Sequence, residues 1–131
     1  MKIAILISRV LLGMGFVIFG LNILHPFMTT PPPPAGSLVA QFVAVMVPSH
    51  WMLLVGFLQL LGGLLVVIGR TTPLGLVLLG PVLVNILAFH IFLQGGQGIA
   101  PGVIFSALEI FLIYAYRGYF RAIFTTSALP T

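Results

Sequence analysis

The stretch PGVIFSALEIFLIYAYR, residues 101–117, contains Glu109, the only acidic side chain of the chain, near the middle of a mostly apolar segment. A segment of this length is long enough to cross the hydrocarbon core of a bilayer as a helix. A carboxylate at that depth costs about 2.5 kcal/mol or more on insertion scales, so it should face protein and have a partner. We therefore expect a membrane helix whose Glu109 points into a helix bundle.

The composition is that of an integral membrane protein. Of 131 residues, 60% are hydrophobic and 5% are charged, and the mean hydropathy is +1.28, whereas soluble domains carry about 25% charged residues. The absence of cysteine excludes disulfides and dithiol redox chemistry by this chain alone. The net charge of +4 is spread over the ends of apolar segments and makes no basic stripe, so nucleic acid is not an expected partner.

Four apolar segments have the length of a membrane span, namely residues 3–24, 52–69, 73–93 and 101–117. They predict an all-α fold, a polytopic four-transmembrane-helix bundle forming one domain over residues 1–131. A shorter apolar segment, 38–47, follows Ser37, a suitable helix N-cap, and ends at Pro48. Because it is too short to span, we expect an interfacial or re-entrant helix between helices one and two.

The basic residues predict the topology. Lys2, Arg70, Arg117 and Arg121 lie at the amino terminus, in the second connection and in the carboxyl tail, while the first and third connections contain no Lys or Arg. Cytoplasmic connections are enriched in these residues. We therefore expect a multi-pass protein of the cell (inner) membrane with both termini in the cytoplasm.

Arg9, Gln59 and Glu109 are predicted to form an intramembrane polar cluster. Counted from the inner boundary at about 1.5 Å per residue, they lie at roughly 9, 13 and 12 Å. Gly13 shares the helical face of Arg9, and Gly63 that of Gln59, which marks both faces as packed. Two interpretations stay open: an Arg9–Glu109 ion pair that holds the bundle in register, or a Glu109 that accepts a proton or contacts a ligand.

Asn22, Asn85 and His90 lie toward the outer ends of helices one and three and predict an outer ligand pocket. Asn85 and His90 are about 140° apart around their helix, which places them in different directions. No two of the histidines, which include His25 and His50, share a ligand spacing on one helix. A metal or haem site is therefore not expected.

Four stretches carry a resemblance to a known family: RVLLGMGFVIFGLN at 9–22, LLGGLLVVIGR at 60–70, GPVLVNILAFHIF at 80–92 and LEIFLIYAYR at 108–117. Their order and the Arg-to-Asn pattern of helix one resemble the DoxX-like family of small membrane proteins. The resemblance implies a four-helix bundle. It also implies an association with membrane redox or detoxification systems, since the family takes its name from a subunit associated with thiosulfate:quinone oxidoreductase.

The expected function is that of an accessory subunit of such a system, or of a component that binds a hydrophobic, quinone-like ligand. Gln59 stands where many relatives of this family have Glu, and some have Lys at or near the position of Asn22, so fewer groups here can relay protons. No nucleophile, dinucleotide motif or cofactor anchor is present, so catalysis by this chain on its own is not expected. The alternatives are a purely structural or assembly subunit and, less favoured, a small-molecule transporter.

The bilayer is the expected partner, together with membrane oxidoreductase subunits implied by the resemblance; a homo-oligomer stays open. No cofactor is predicted from the residues themselves, and a quinone is the one that the resemblance suggests.

Overall fold

The computed structural model describes residues 1–131 and contains helices and no strands. The helices are α1 Lys2–Leu24, α2 Leu38–Met46, α3 Trp51–Ile68, α4 Thr72–Ala88, α5 Ala100–Ala115 and α6 Arg117–Phe120, and a π-helical turn, Phe89–Leu93, continues α4. Three of these segments, α1, α3 and α4 with its π-helical turn, are long and apolar enough to cross a membrane. Helix α5 is a shorter apolar helix.

The four longest helices form a closed bundle. Helix α1 packs on α3, α3 on α4, α4 on α5, and α5 returns to α1, with the α1–α3 contact the most extensive and the α1–α5 contact the least. The amino terminus of α1 and the carboxyl terminus of α5 lie at one end, called the inner end here, and α2 lies at the other, outer end. Large apolar side chains are exposed all along the outside, as expected for a surface that contacts lipid.

Glycines set the close approach of α1 and α3. A Cβ atom on Gly13 would lie 2.8 Å from the carbonyl oxygen of Gly63, and one on Gly20 would lie 2.8 Å from that of Gly56. Any larger residue at these positions would push the two backbones apart. The two antiparallel helices are therefore held in a single register by their glycines.

Helices α3 and α4 form a tight hairpin at the inner end. Gly69 follows α3 with a φ of 87°, a conformation in which glycine lacks the strain of other residues. Pro73 stands in the first turn of α4, where proline is well tolerated. Gly75 then brings α4 against α3, because a Cβ there would lie 2.8 Å from the carbonyl oxygen of Gly62.

Helix α2 lies at the outer end of the bundle, beside the π-helical turn. The Ser37 side chain caps it by accepting a 3.1 Å hydrogen bond from the Ala40 N–H, and none of its residues is buried. The Phe42 ring contacts Phe89 of the π-helical turn with ring centroids 5.2 Å apart. Helix α2 is thus attached to α4 by an aromatic contact at the bundle's edge.

Helix α5 ends at Ala115, two residues before the expected end at Arg117. The chain turns at Tyr116 and continues as α6. Phe120 is 7% exposed and belongs to the hydrophobic core, so it anchors α6 to the inner end of the bundle.

Candidate functional site

Arg9 does not pair with Glu109, contrary to the sequence-based expectation. Its Nη2 atom donates a 2.9 Å hydrogen bond to the carbonyl oxygen of Val67, and its Nε atom donates a 3.3 Å hydrogen bond to that of Val66. Neither oxygen of Glu109 has a hydrogen-bond partner. The counter-charge of Arg9 is therefore the carboxyl end of α3, where helix carbonyls lack intrahelical partners and carry partial negative charge.

The reason for this difference is the register of α1. The depth count assumed that all helices end at one level, but Arg9 is level with the last turn of α3, so α1 extends about 10 Å beyond that level. Gln59 lies at the level of Gly20 of α1, because a Cβ atom on Gly20 would lie 2.6 Å from the backbone nitrogen of Leu60, the residue after Gln59. Gly20 is about 16 Å further along α1 than Arg9. Arg9 and Gln59 are therefore at opposite halves of the bundle and do not form one cluster.

Two threonines complete the carboxyl end of α3. The Thr71 hydroxyl donates to the Leu65 carbonyl at 2.7 Å, and the Thr72 hydroxyl lies 3.1 Å from the Val66 carbonyl oxygen. Together with the guanidinium group they give three successive carbonyls of the last turn a side-chain donor. The role that the structure gives Arg9 is that of a cap on a neighbouring helix.

Glu109 is a buried carboxyl group, 4% exposed, without a partner. It faces α4 at a glycine, since a Cβ atom on Gly80 would lie 3.7 Å from its Oε1 atom. Buried polar groups in native structures nearly always have a hydrogen-bond partner, so a group of this kind calls for an explanation. The packing of α5 does not supply one.

A cavity of about 320 Å³ lies in the outer half of the bundle. Its walls come from α1, α3, α4 with its π-helical turn, and α5. The lining residues that bear on its chemistry are Phe16, Phe19, Asn22, Gln59, His90 and Phe105.

Gln59 supplies the most deeply buried polar group of this cavity. The residue is 5% exposed, and its Oε1 atom has no hydrogen-bond partner. An amide offers both donors and an acceptor, and a buried amide oxygen left unpaired is unfavourable by about 1 to 3 kcal/mol. A ligand that donates a hydrogen bond to this oxygen would relieve that cost.

His90 lines the same cavity from the π-helical turn. Its Nδ1 atom lies close to the side-chain oxygen of Gln94 and 3.0 Å from the carbonyl oxygen of Gln97. Both oxygens are acceptors, so they favour the tautomer that carries its proton on Nδ1, in which Nε2 is an acceptor. π-Helical turns often mark functional sites, and this one sets the position of His90.

Of the predicted outer pocket, the structure brings Asn22 and His90 together and separates Asn85. The Oδ1 atom of Asn22 accepts hydrogen bonds from the backbone N–H groups of Phe27 (3.0 Å) and Met28 (2.8 Å), so it also holds the start of the long connection. Asn85 is exposed on the outside of α4 and does not line the cavity. Its Nδ2 donates a 2.9 Å hydrogen bond to the Pro81 carbonyl, which lies on the same helix.

The aromatic wall of the cavity was not predicted from the sequence. The Phe105 ring contacts Phe16 with centroids 5.4 Å apart and Phe19 with centroids 6.0 Å apart. A weak sequence pattern was present, because Phe105 is four residues before Glu109 and shares its face of α5. The pattern does not distinguish a cavity wall from ordinary core packing.

These features define a small helical membrane protein with a polar and aromatic cavity inside the bundle. Residues 4–91, about two thirds of the chain, match the family model described as DoxX, and the chain belongs to the DoxX family. Glu109 lies outside the matched residues. No curated protein and no solved structure matches the chain.

Proposed function

We propose that this DoxX protein spans the inner membrane four times, with both termini in the cytoplasm, and that it binds a hydrophobic, quinone-like molecule as an accessory component of a membrane redox or detoxification system. Helix α5 supports the fourth span, because it is apolar, packs on α1 and α4, and its 16 residues cover about 24 Å of a hydrocarbon core about 30 Å thick. The distribution of Lys and Arg supports the orientation.

The observation that carries the ligand proposal is Gln59, an unpaired buried amide in an aromatic-walled cavity. The cavity volume falls at the lower end of the range of about 300 to 1,000 Å³ for ligand sites. Phe16 and Phe105 offer faces and edges on which a planar ring packs well. The Nε2 group of Gln59 can donate to a quinone carbonyl oxygen, and its unpaired Oε1 atom can accept from a hydroxyl group of the reduced quinol. This chain would contribute binding and orientation, while the redox chemistry belongs to the quinone.

Glu109 is included in this proposal as a candidate proton acceptor, because it lies between α5 and α4, two of the helices that line the cavity. A buried carboxyl group without a partner is unfavourable for folding. Such groups are found where function requires them. Glu109 does not line the cavity, so it is not assigned a direct ligand contact.

A structural or assembly subunit is the second candidate function. It is favoured by the close glycine packing of α1 on α3 and by the hydrogen bond from Arg9 to the end of α3. Both features stabilise the bundle and need no ligand. A transporter receives less support. A transporter built from two related hairpins would place its repeated stretches equivalently. The sequence Asn-Ile-Leu occurs at 22–24 and again at 85–87, but Asn22 lines the cavity whereas Asn85 is exposed on the outside of α4.

The test is saturation binding of a short-tailed benzoquinone to the purified protein in nanodiscs, with empty nanodiscs as the background. We expect binding with one site per chain, and Gln59→Leu should weaken it about tenfold because a hydrogen bond to the ligand is lost. Asn85→Leu is the matched control, since it removes an amide outside the cavity and should leave the affinity unchanged.

Two results would favour the structural candidate. One is quinone binding no higher than in empty nanodiscs. The other is equal loss of binding in Gln59→Leu and Asn85→Leu. Mass spectrometry of lipids and proteins extracted with the native protein adds an independent readout, with a retained quinone or a co-isolated oxidoreductase as the expected result.

A further inference from the structure

A groove of about 540 Å³ lies at the inner end of the bundle, whereas the ligand cavity lies in the outer half. It runs between the last two turns of α5 and the segment that begins with α6. The lining residues are Ile110, Ile113, Tyr114, Arg117, Phe120, Arg121 and Phe124.

Two arginines stand at this groove without an acidic partner. Arg117 and Arg121 both line it, and the only acidic side chain of the protein, Glu109, is buried in the bundle. Residues four apart on a helical turn lie on the same side, about 5 to 6 Å apart at their Cβ atoms. The groove therefore presents two neighbouring positive charges that nothing in the chain neutralises.

Arg117 is held in place before any ligand arrives. Its Nη1 atom donates a 3.1 Å hydrogen bond to the Tyr114 carbonyl oxygen, and its guanidinium carbon lies 4.6 Å from the centroid of the Tyr114 ring. These contacts use one of the five N–H donors and one face of the guanidinium group. The remaining donors can bind an oxyanion, and the fixed orientation lowers the entropy lost on binding.

The rest of the groove is apolar and highly exposed. Ile110 is 67% exposed and Phe124 is 78% exposed, and both line the same groove as the arginines. Phe120, in contrast, is buried and keeps α6 against the bundle, so the groove has a fixed floor. Positive charge beside an exposed apolar surface at the end of a membrane helix matches a phosphate group with an acyl chain attached.

We propose that this groove binds an anionic phospholipid, with its phosphate on Arg117 and Arg121 and an acyl chain against Ile110 and Ile113. A net negative headgroup is preferred over a zwitterionic one, because no carboxylate lies in the groove to accept a choline or ethanolamine group. The site is separate from the outer cavity and does not depend on the proposed ligand there.

The experiment uses the full chain, delipidated in a non-ionic detergent. Short-chain phosphatidylglycerol, short-chain phosphatidylcholine and inorganic phosphate are the probes, and native mass spectrometry measures the bound fraction. We expect phosphatidylglycerol to bind at least about tenfold more tightly than phosphatidylcholine, since both arginines attract its net negative headgroup. Inorganic phosphate should neither bind nor compete at the same concentration, because it lacks the acyl chain.

Arg121→Gln and the Arg117→Gln/Arg121→Gln pair should lose most of the preference for phosphatidylglycerol. Arg121 makes no hydrogen bond within the protein, so its variant tests binding even where the double variant folds poorly. Arg70→Gln is the control, because Arg70 is an exposed arginine in the inner α3–α4 hairpin outside the groove. Three results would overturn the proposal: equal binding of both lipids, full competition by inorganic phosphate, or a loss in Arg70→Gln as large as in Arg121→Gln.

Discussion

Arg9 of α1 donates a 2.9 Å hydrogen bond to the backbone carbonyl oxygen of Val67 at the end of α3. The intramembrane arginine is thereby satisfied by backbone of the neighbouring helix, without a carboxylate. A helix carboxyl end attracts cations and offers free carbonyls, so it can replace an acidic side chain as the partner. This contact changes the expected behaviour of both Arg9 and Glu109.

Replacing Arg9 should destabilise the bundle. Arg9→Met keeps much of the side chain's length but leaves the Val67 carbonyl without its donor, and hydrogen bonds to charged groups contribute about 1.5 to 3 kcal/mol. We expect a loss of that size in the free energy of unfolding, measured by denaturant titration in detergent micelles. Lys2→Met, at the exposed start of the same helix, is the control and should have little effect. An Arg9→Met variant as stable as the wild type would contradict the capping role.

Replacing Glu109 should stabilise the bundle. Glu109→Leu removes a buried polar group that has no partner, so the free energy of unfolding should rise by about 1 kcal/mol or more. The same denaturant titration measures it. A loss of stability would show that the carboxyl group has a structural partner after all.

A double-mutant cycle separates the two interpretations of the charged residues directly. Because Arg9 and Glu109 share no contact, the effects of Arg9→Met and Glu109→Leu should add within about 0.5 kcal/mol. The four unfolding free energies of the cycle give the coupling. A coupling of about 1 kcal/mol or more would restore the ion pair that the sequence suggested.

The α1–α3 contact should not tolerate a methyl group. In Gly20→Ala the new Cβ would lie 2.6 Å from the Leu60 backbone nitrogen, and overpacking of this kind typically costs about 1 to 3 kcal/mol. Gly80→Ala is the control, since its nearest contact is the Glu109 Oε1 atom at 3.7 Å. Thermal unfolding in detergent should show a lower midpoint for Gly20→Ala alone. Equal midpoints would mean that the two helices can move apart freely.

The orientation in the membrane can be tested by accessibility. Tags at both termini should react only from the cytoplasmic side, while Gln97→Cys, exposed in the α4–α5 connection, should react with a membrane-impermeant maleimide only from outside. Labelling in intact cells and in inverted vesicles gives the two sides. Reaction of Gln97→Cys from the inside would require a different number of spans or the reverse orientation.

The helices themselves were readable from the sequence because their causes are local. Apolar length, the proline of the first turn of α4 and the Ser37 cap act within a few residues. With the π-helical turn counted as part of α4, the helix ends differ from expectation by two residues or fewer. The inward faces of α1 and α3 were also readable. Gly13 and Gly63 share a face with a polar residue, and 100° per residue is enough to group them.

The partners of the polar side chains were decided only by the tertiary structure. A depth count assigns each residue a height along its own helix, but the offset between helices depends on where the glycines of α1 and α3 meet, and that offset placed Arg9 at the Val67 carbonyl. Every residue has a backbone carbonyl, so the sequence does not indicate which carbonyl will be the partner of Arg9. Local periodicity therefore determined which side chains point inward, and the packing of one helix on another determined what each of them meets.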